Sequence, residues 1–155
     1  MKTFSHFVTD ITESSGKNPT WTKPSVKDLK QEYHVEVTLK GLKGFKNEAE
    51  FLEAAKNGTV MTLDAATDRK IEYRSHTKSK EQLLSLIKGY RSYPEFRNED
   101  TIENLYKRIG GGMSMTMPLI LRYSNGRMRV LAGNTRLDVA FQLKKTPKVL
   151  VLDIK

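Results

Sequence analysis

The sequence contains no cysteine among its 155 residues. Disulfide scaffolds, thiolate zinc sites, iron–sulfur clusters and cysteine nucleophiles are therefore excluded, and a reducing cytoplasm is the expected location. No apolar run approaches the roughly 18 residues that a membrane-spanning helix needs, and the N-terminus lacks the apolar segment of a secretory signal. We therefore expect a soluble protein with no membrane partner.

Histidine is also scarce. His6, His34 and His76 are far apart and show no metal-ligand spacing, so each is read as a surface residue rather than a ligand or a general base. No protein-borne metal site is predicted from these residues.

Positive charge is abundant and unevenly distributed. The 27 Lys and Arg residues outnumber the 18 Asp and Glu residues, which gives a formal charge of +9. Ten basic and three acidic residues leave a net charge of +7 in residues 101–155, against +2 in the first hundred. A basic excess favours polyanionic partners, so an anion site is expected in the C-terminal third. A lysine-rich solvated surface is the alternative.

The length and the 37% hydrophobic content are those of a single domain with one core. We divide the chain into an N-terminal arm at 1–24, an extension packed on the core at 25–96, and a core at 97–155. Four apolar residues in the arm have the spacing of a short amphipathic helix, and a Ser-, Gly- and Pro-containing breaker follows them: Phe4, Phe7, Val8 and Ile11.

The extension has mixed local signals. Apolar and polar residues alternate over 32–39, which predicts a half-buried strand. Asn47 and Ser79 are in the N-cap positions of two helices. Short strands are predicted at 60–63 and 71–74.

The C-terminal part gives the clearest signals. A helix with an apolar face at Ile102, Leu105, Tyr106 and Ile109 ends at three glycines. A strand, an Asn125-Gly126 hairpin, a second strand, a helix after Gly133 and a final apolar strand follow. These elements predict an α/β domain with a mixed sheet and flanking helices, plus the N-terminal extension.

The junction Gly133-Asn134-Thr135-Arg136 has the features of a phosphate cradle. A glycine between a strand and a helix lets a ligand approach the backbone, and the first helical amides and the helix dipole favour an anion. Arg136 adds a bidentate cationic donor and Thr135 a hydroxyl. An ordinary glycine turn with a helix start is the alternative.

Residues 97–154 resemble the ParB/sulfiredoxin superfamily. Arg97 stands where the leading arginine of that family is expected, a helix and the strand Met117–Leu121 follow, and Gly133 to Arg136 matches the G-x-x-R phosphate box. The resemblance implies phosphate binding by Arg97 and by the box residues Gly133, Asn134, Thr135 and Arg136. It implies ATP or CTP as candidate ligands.

Two departures narrow what the resemblance implies. Sulfiredoxins have a cysteine after the box glycine, where this sequence has Asn134, so sulfinic acid reduction is excluded. Chromosome-partitioning ParB proteins have two adjacent arginines in the box and a helix-turn-helix domain after it. Here the box reads Thr135-Arg136 and the sequence ends at Lys155, so sliding-clamp function is not expected. Nucleotide phosphate binding remains, with NTP hydrolysis, nuclease and small-molecule kinase activity as the branches of the family.

Catalysis would need a carboxylate to act as a base or to hold Mg²⁺. Asp138, two residues after Arg136, is the candidate carboxylate, and favourable interaction with the helix dipole is its alternative role. Arg136 is the second candidate catalytic residue. Ser114 and Thr116 alternate with methionines in the segment 113–117 and are candidate phosphate contacts. Three arginines around the hairpin are candidate contacts to a nucleic-acid backbone: Arg122, Arg127 and Arg129.

The N-terminus gives a second resemblance. Met1-Lys2-Thr3-Phe4, followed by Ile11-Thr12-Glu13, is similar to N-termini of proteins from large tailed phages, some of them packaged in the head and cleaved after such a glutamate. The leading hypothesis is a nucleotide-binding protein, with Mg²⁺ as a candidate cofactor. The alternative is a non-catalytic DNA-binding or virion-associated protein, found in the host cytoplasm or the virion if phage-encoded.

Overall fold

The computed structural model describes residues 18–72, 74, 76–88 and 99–154. The fold is mixed α/β, as predicted, and no helix in these ranges is long and apolar enough to cross a membrane. The strands are β1 (Trp21–Thr22), β2 (Thr59–Thr62), β3 (Met115–Thr116), β4 (Leu119–Arg122), β5 (Met128–Ala132) and β6 (Lys148–Asp153). The α-helices are α1 (Val26–Tyr33), α2 (Glu48–Lys56), α3 (Ala65–Asp68), α4 (Lys80–Lys88), α5 (Glu99–Gly110) and α6 (Asn134–Gln142).

Four strands form the main sheet in the order β2-β6-β4-β5. The pairs β2–β6 and β4–β5 are antiparallel, whereas β4 and β6 are parallel. The predicted hairpin joins β4 to β5, with Gly126 at φ +87° in its turn. Helix α6 then connects β5 to β6, which lies on the other side of β4 in the sheet. The G-x-x-R segment lies at the start of this connection.

The sheet is covered on both faces. Side chains alternate along each strand, so Leu119 and Leu121 enter one apolar cluster while Ile120 enters the other. Helices α1, α2, α4 and α5 contribute to the first cluster. Helix α6 contributes to both, through Ala140 on one side and Leu137 on the other. Burial on both faces accounts for the continuous apolar runs of β4 and β6.

The strand predicted at 32–39 is wrong. Tyr33 ends α1, and residues His34–Leu39 continue it as a π-helix. A capping box at Ser25, whose Oγ accepts from the amide of Asp28 at 3.1 Å, starts this helix. No glycine or proline interrupts the chain until Gly41, which has φ +73°. The half-buried valines therefore alternate along a widened helix rather than along a strand.

Other local predictions have mixed outcomes. The Asn47 side chain caps α2 and the Ser79 Oγ accepts from the amide of Gln82 at 3.2 Å, so both predicted caps are confirmed. Within the described residues of the predicted strand at 71–74, Glu72 forms an isolated bridge with Arg129, and the turn before this segment contains α3. Helix α5 ends at the glycines, as predicted.

The end of the predicted arm is part of the folded domain. Asn18 Oδ1 accepts a hydrogen bond from the Thr146 amide at 2.6 Å. Trp21 is 7% exposed, and β1 pairs in parallel with β3. Residues 1–17, with the predicted amphipathic helix, and the boundary predicted at 96–97 lie outside the described residues.

Candidate functional site

A cavity of about 430 Å³ lies among α1, α5, the β1–β3 pair and the first turn of α6. Leu105, Met115, Met117 and Leu119 contribute apolar surface, and polar and charged side chains complete the lining. Ligand pockets commonly have volumes of about 300–1,000 Å³. The cavity therefore has room for a small molecule of nucleotide size.

Two arginines line this cavity beside the β3 segment. Arg136 is 6% exposed, and its Nη1 donates to the carbonyl oxygen of Thr116 at 2.6 Å. Arg108, from the last turn of α5, donates from Nη2 to the carbonyl oxygen of Ser114 at 2.7 Å. Ser114 and Thr116 also line the cavity. Two guanidiniums and two hydroxyl residues thus share one wall region.

Helix α1 contributes negatively charged residues to the cavity lining. Asp28, Gln31 and Glu32 all line the cavity, and their i, i+3, i+4 spacing places them on one face of the helix. The Asp28 carboxylate also accepts from the Ser25 amide at 3.2 Å, which fixes the start of α1. The cavity therefore contains carboxylates as well as guanidiniums.

The box glycine has a structural explanation. Gly133 is the N-cap of α6 and has φ +103°, a left-handed conformation that side chains rarely adopt. A Cβ at this position would lie 2.6 Å from the Cβ of Pro118 and 2.9 Å from its Cα. Gly133 is therefore required by its close approach to Pro118. Arg136 lines the cavity, whereas Gly133, Asn134 and Thr135 are absent from its lining.

Asp138 lies in a buried ion-pair network rather than in the cavity. Its carboxylate, 1% exposed, pairs with Arg74 Nη1, which also donates to Asn134 Oδ1 at 3.0 Å. Arg74 Nε is 2.7 Å from Asp68 Oδ1, and His76 Nε2 is 3.3 Å from the other oxygen of that carboxylate. Asn134 and Asp138 thus anchor α6 to the segment after α3. The catalytic assignment of Asp138 finds no geometric support here, because the carboxylate is absent from the cavity lining.

The hairpin arginines are close to carboxylates. Arg122 forms a two-point pair with Asp153, at 2.7 and 3.2 Å. This hydrogen bonding raises the pKa of Arg122 and lowers the pKa of Asp153. Arg127 pairs with Glu72. A nucleic-acid backbone would have to compete with these carboxylates, so the structure gives this surface no advantage over the cavity.

Arg129 acts on a carboxylate of the π-helix. Burial raises the pKa of Glu36, while the charge of Lys40, its hydrogen bond and the charge of Arg129 act in the opposite direction.

Arg122 ends β4 at the opposite end from Leu119, which lines the cavity. At about 3.3 Å per strand residue, the two ends of β4 are about 10 Å apart. The hairpin is therefore a separate surface.

A further group of hydrogen-bonded side chains joins α5 to α6 and to the segment before α4. The Tyr106 hydroxyl donates to Gln142 Oε1, and Gln142 Nε2 donates to Thr77 Oγ1 at 3.0 Å. Burial, followed by the negative charge of Asp138, raises the pKa of Tyr106 to about 12. This tyrosine is therefore a hydrogen-bond donor at neutral pH.

The structure brings Arg136 and Ser114 together, and Arg97 lies outside the described residues. Sequence reasoning missed Arg108, Asp28 and Glu32. A basic residue in the last turn of a helix interacts favourably with the helix dipole, so Arg108 in this position did not by itself indicate a ligand site. The α1 residues were missed because their approach to residues 114–117 is a tertiary contact.

Within the described ranges, no three His, Cys, Asp or Glu side chains are grouped as metal ligands. Mg²⁺ is often held by one or two carboxylates together with the phosphates of a substrate, and Asp28 and Glu32 are the cavity carboxylates suited to such a role.

Comparisons of the chain with protein-family models, with curated proteins and with solved structures give no match.

Proposed function

We propose that the protein binds a phosphate-bearing small molecule of nucleotide size in the cavity between α1, α5 and α6. The observation that carries this proposal is the placement of Arg108 and Arg136 in one cavity with Ser114 and Thr116. Arginine presents several N–H donors in a planar fork that matches phosphate oxygens, and such charge-assisted hydrogen bonds are stronger than neutral ones. We place the phosphate of the ligand beside Arg108 and Arg136.

The order of elements adds support. Helix α5, strand β4, the hairpin, the G-x-x-R segment at the start of α6 and the final strand β6 follow one another as the ParB/sulfiredoxin resemblance implies. In that family the segment is a phosphate box, and here Arg136 of the segment lines the cavity. Nucleotides, with ATP and CTP as the first candidates, are therefore the ligand class to test.

The proposal is one of binding. NTP hydrolysis, nuclease or kinase activity would need a base or a metal ion beside the phosphate. Asp138 is paired with Arg74 outside the cavity, which leaves Asp28 and Glu32 as the cavity carboxylates among the described residues. The alternative, a basic DNA-binding or virion-associated protein, is tested in the same experiment.

The test measures binding of ATP, CTP, GTP, AMP, CMP, GMP and short DNA duplexes by isothermal titration, with and without Mg²⁺. Arg108→Gln should weaken nucleotide binding about tenfold or more, because a hydrogen bond to a charged group contributes about 1.5–3 kcal/mol. Arg136→Lys, which keeps the charge but loses the fork, should also weaken it. Arg122→Gln removes one positive charge at the hairpin and is the matched control, expected to leave nucleotide affinity unchanged. Thermal melting of each variant checks that it is folded.

Salt separates the two candidates. DNA backbone binding should fall steeply with salt concentration, whereas a single nucleotide in the cavity should remain bound at moderate salt. The proposal is overturned if Arg108→Gln and Arg136→Lys bind nucleotide like the wild type. Salt-sensitive DNA binding that is weakened in Arg122→Gln, with no nucleotide binding, would instead support the DNA-binding alternative.

A further inference from the structure

The described residues that line the cavity carry balanced charge. Arg108 and Arg136 contribute two positive charges to its lining, and Asp28 and Glu32 contribute two negative charges. A site for a triphosphate without metal needs an excess of positive charge, because the ligand is strongly anionic. Balanced charge instead suits a ligand with an anionic end and a hydrogen-bond-donating end.

The two kinds of charge come from different elements. The arginines reach the cavity from α5 and α6 and are tied to the carbonyl oxygens of Ser114 and Thr116. The carboxylates reach it from one face of α1, whose start is fixed by the capping box. Arg136 is buried and Glu32 is half-buried. Separate, anchored elements therefore hold the two charges, and a bound ligand would span them.

Ligand charge decides which nucleotide fits. A triphosphate carries roughly two more negative charges than the matching monophosphate at neutral pH. Charges that extend beyond the two arginines meet the α1 carboxylates, and like charges in contact oppose binding. Hydroxyl or amino groups at the same place would donate hydrogen bonds to Asp28 and Glu32.

We infer that the site selects a phosphomonoester whose other end presents hydroxyl or amino groups to α1, such as a nucleoside monophosphate, over the corresponding triphosphate. This inference rests on the proposed phosphate site. It assigns Glu32 and Asp28 a selectivity role and gives the ligand a direction, with its phosphate at Arg108 and Arg136 and its donor groups at α1.

A competing arrangement makes the opposite prediction. If Asp28 and Glu32 held Mg²⁺ for a metal–triphosphate complex, neutralising Glu32 would weaken triphosphate binding. If they repel the triphosphate, neutralising Glu32 would strengthen it. The sign of the effect of Glu32→Gln therefore distinguishes the two arrangements.

The experiment compares dissociation constants for AMP with ATP, CMP with CTP and GMP with GTP, and measures binding of inorganic phosphate, in EDTA and in Mg²⁺. The wild type should prefer at least one monophosphate over its triphosphate in both conditions. Glu32→Gln should reduce this preference by about fivefold, the effect of about 1 kcal/mol for a partly exposed charge. Gln31→Glu, which adds a carboxylate to the same face of α1, should increase it. Glu50→Gln removes an exposed carboxylate of α2 outside the cavity lining and should change nothing.

Each other outcome overturns a defined statement. Equal or tighter triphosphate binding in EDTA, unchanged in Glu32→Gln, overturns the selectivity while leaving the proposed function intact. Triphosphate binding that needs Mg²⁺ and is weakened by Glu32→Gln overturns it in favour of the metal arrangement. Absence of binding for every nucleotide and for inorganic phosphate overturns the proposed function itself.

Discussion

Replacing Gly133 with alanine tests whether backbone packing or ligand contact accounts for the glycine of the G-x-x-R segment. The left-handed backbone at φ +103° disfavours a side chain by about 1–2 kcal/mol. The new Cβ would also lie 2.6 Å from Pro118 Cβ and 2.9 Å from Pro118 Cα, where a rigid ring and the backbone cannot easily yield. Overpacking of this kind costs about 1–3 kcal/mol. The free energy of unfolding should therefore fall by about 2–5 kcal/mol in total.

Gly126→Ala is the matched control. Gly126 has φ +87° in the hairpin, and no atom lies within 4 Å of a Cβ built there. Its substitution should cost only the backbone part, about 1–2 kcal/mol. Urea unfolding of both variants, followed by circular dichroism, gives the difference between them as the cost of the approach to Pro118.

The cause can be isolated further with Pro118→Gly, which removes the ring but leaves the Cα. In this background the additional cost of Gly133→Ala should decrease, and the two changes should not be additive. Nucleotide affinity of folded Gly133→Ala should stay close to that of the wild type. The reasoning would be refuted if Gly133→Ala were as stable as Gly126→Ala but had lost nucleotide binding.

Two further predictions concern Arg74 and Tyr106, whose side chains bond to residues of α6. Arg74→Met should lower the free energy of unfolding by about 3–5 kcal/mol, because it leaves the carboxylates of Asp68 and Asp138 buried without their shared cation; a loss below 1 kcal/mol in urea unfolding would contradict this. Tyr106→Phe should cost about 1 kcal/mol near neutral pH through the lost hydrogen bond to Gln142. With the folded pKa raised to about 12 from an ordinary value near 10, wild-type stability falls as pH rises through this interval, since only the unfolded tyrosine ionises. The phenylalanine variant lacks this loss, so the stability difference should narrow above about pH 10, by less than the full 1.36 kcal/mol per pH unit because the ring is only partly buried. A constant difference in urea titrations would contradict the assignment.

The fold was most predictable where short-range signals agree with one another. The three glycines at the end of α5, the Asn125-Gly126 turn and the apolar run of β6 each specify a local structure without help from distant residues. The segment 32–39 failed because alternating valines suit a strand, while the cap at Ser25 that starts the helix lies several residues earlier. Local propensity was overridden by helix continuation.

The candidate site was predictable only in part. Arg136 could be identified because a strand, a glycine and a helix start precede it in sequence, and Ser114 because of the methionine alternation. The pairing of Arg74 with Asp138 joins residues 64 positions apart, and no local pattern announces it. Nor could the position of α1 at the cavity be inferred, because it depends on the tertiary arrangement of α1, α5 and β3 around the cavity. A charge that looks catalytic in a helix start can therefore be a structural anchor once its long-range partner is known.

The chain contains a single tryptophan, Trp21, which is buried in β1. Its neighbour Thr22 lines the cavity, and the β1–β3 pairing is only two residues long. With excitation beyond the absorption of the six tyrosines, the fluorescence of the protein therefore has one source, which lies next to the cavity. Any separation of β1 from β3 would expose the indole to water and shift its emission to longer wavelengths. The emission wavelength of Trp21 therefore reports, in real time and without a label, whether β1 is paired with β3.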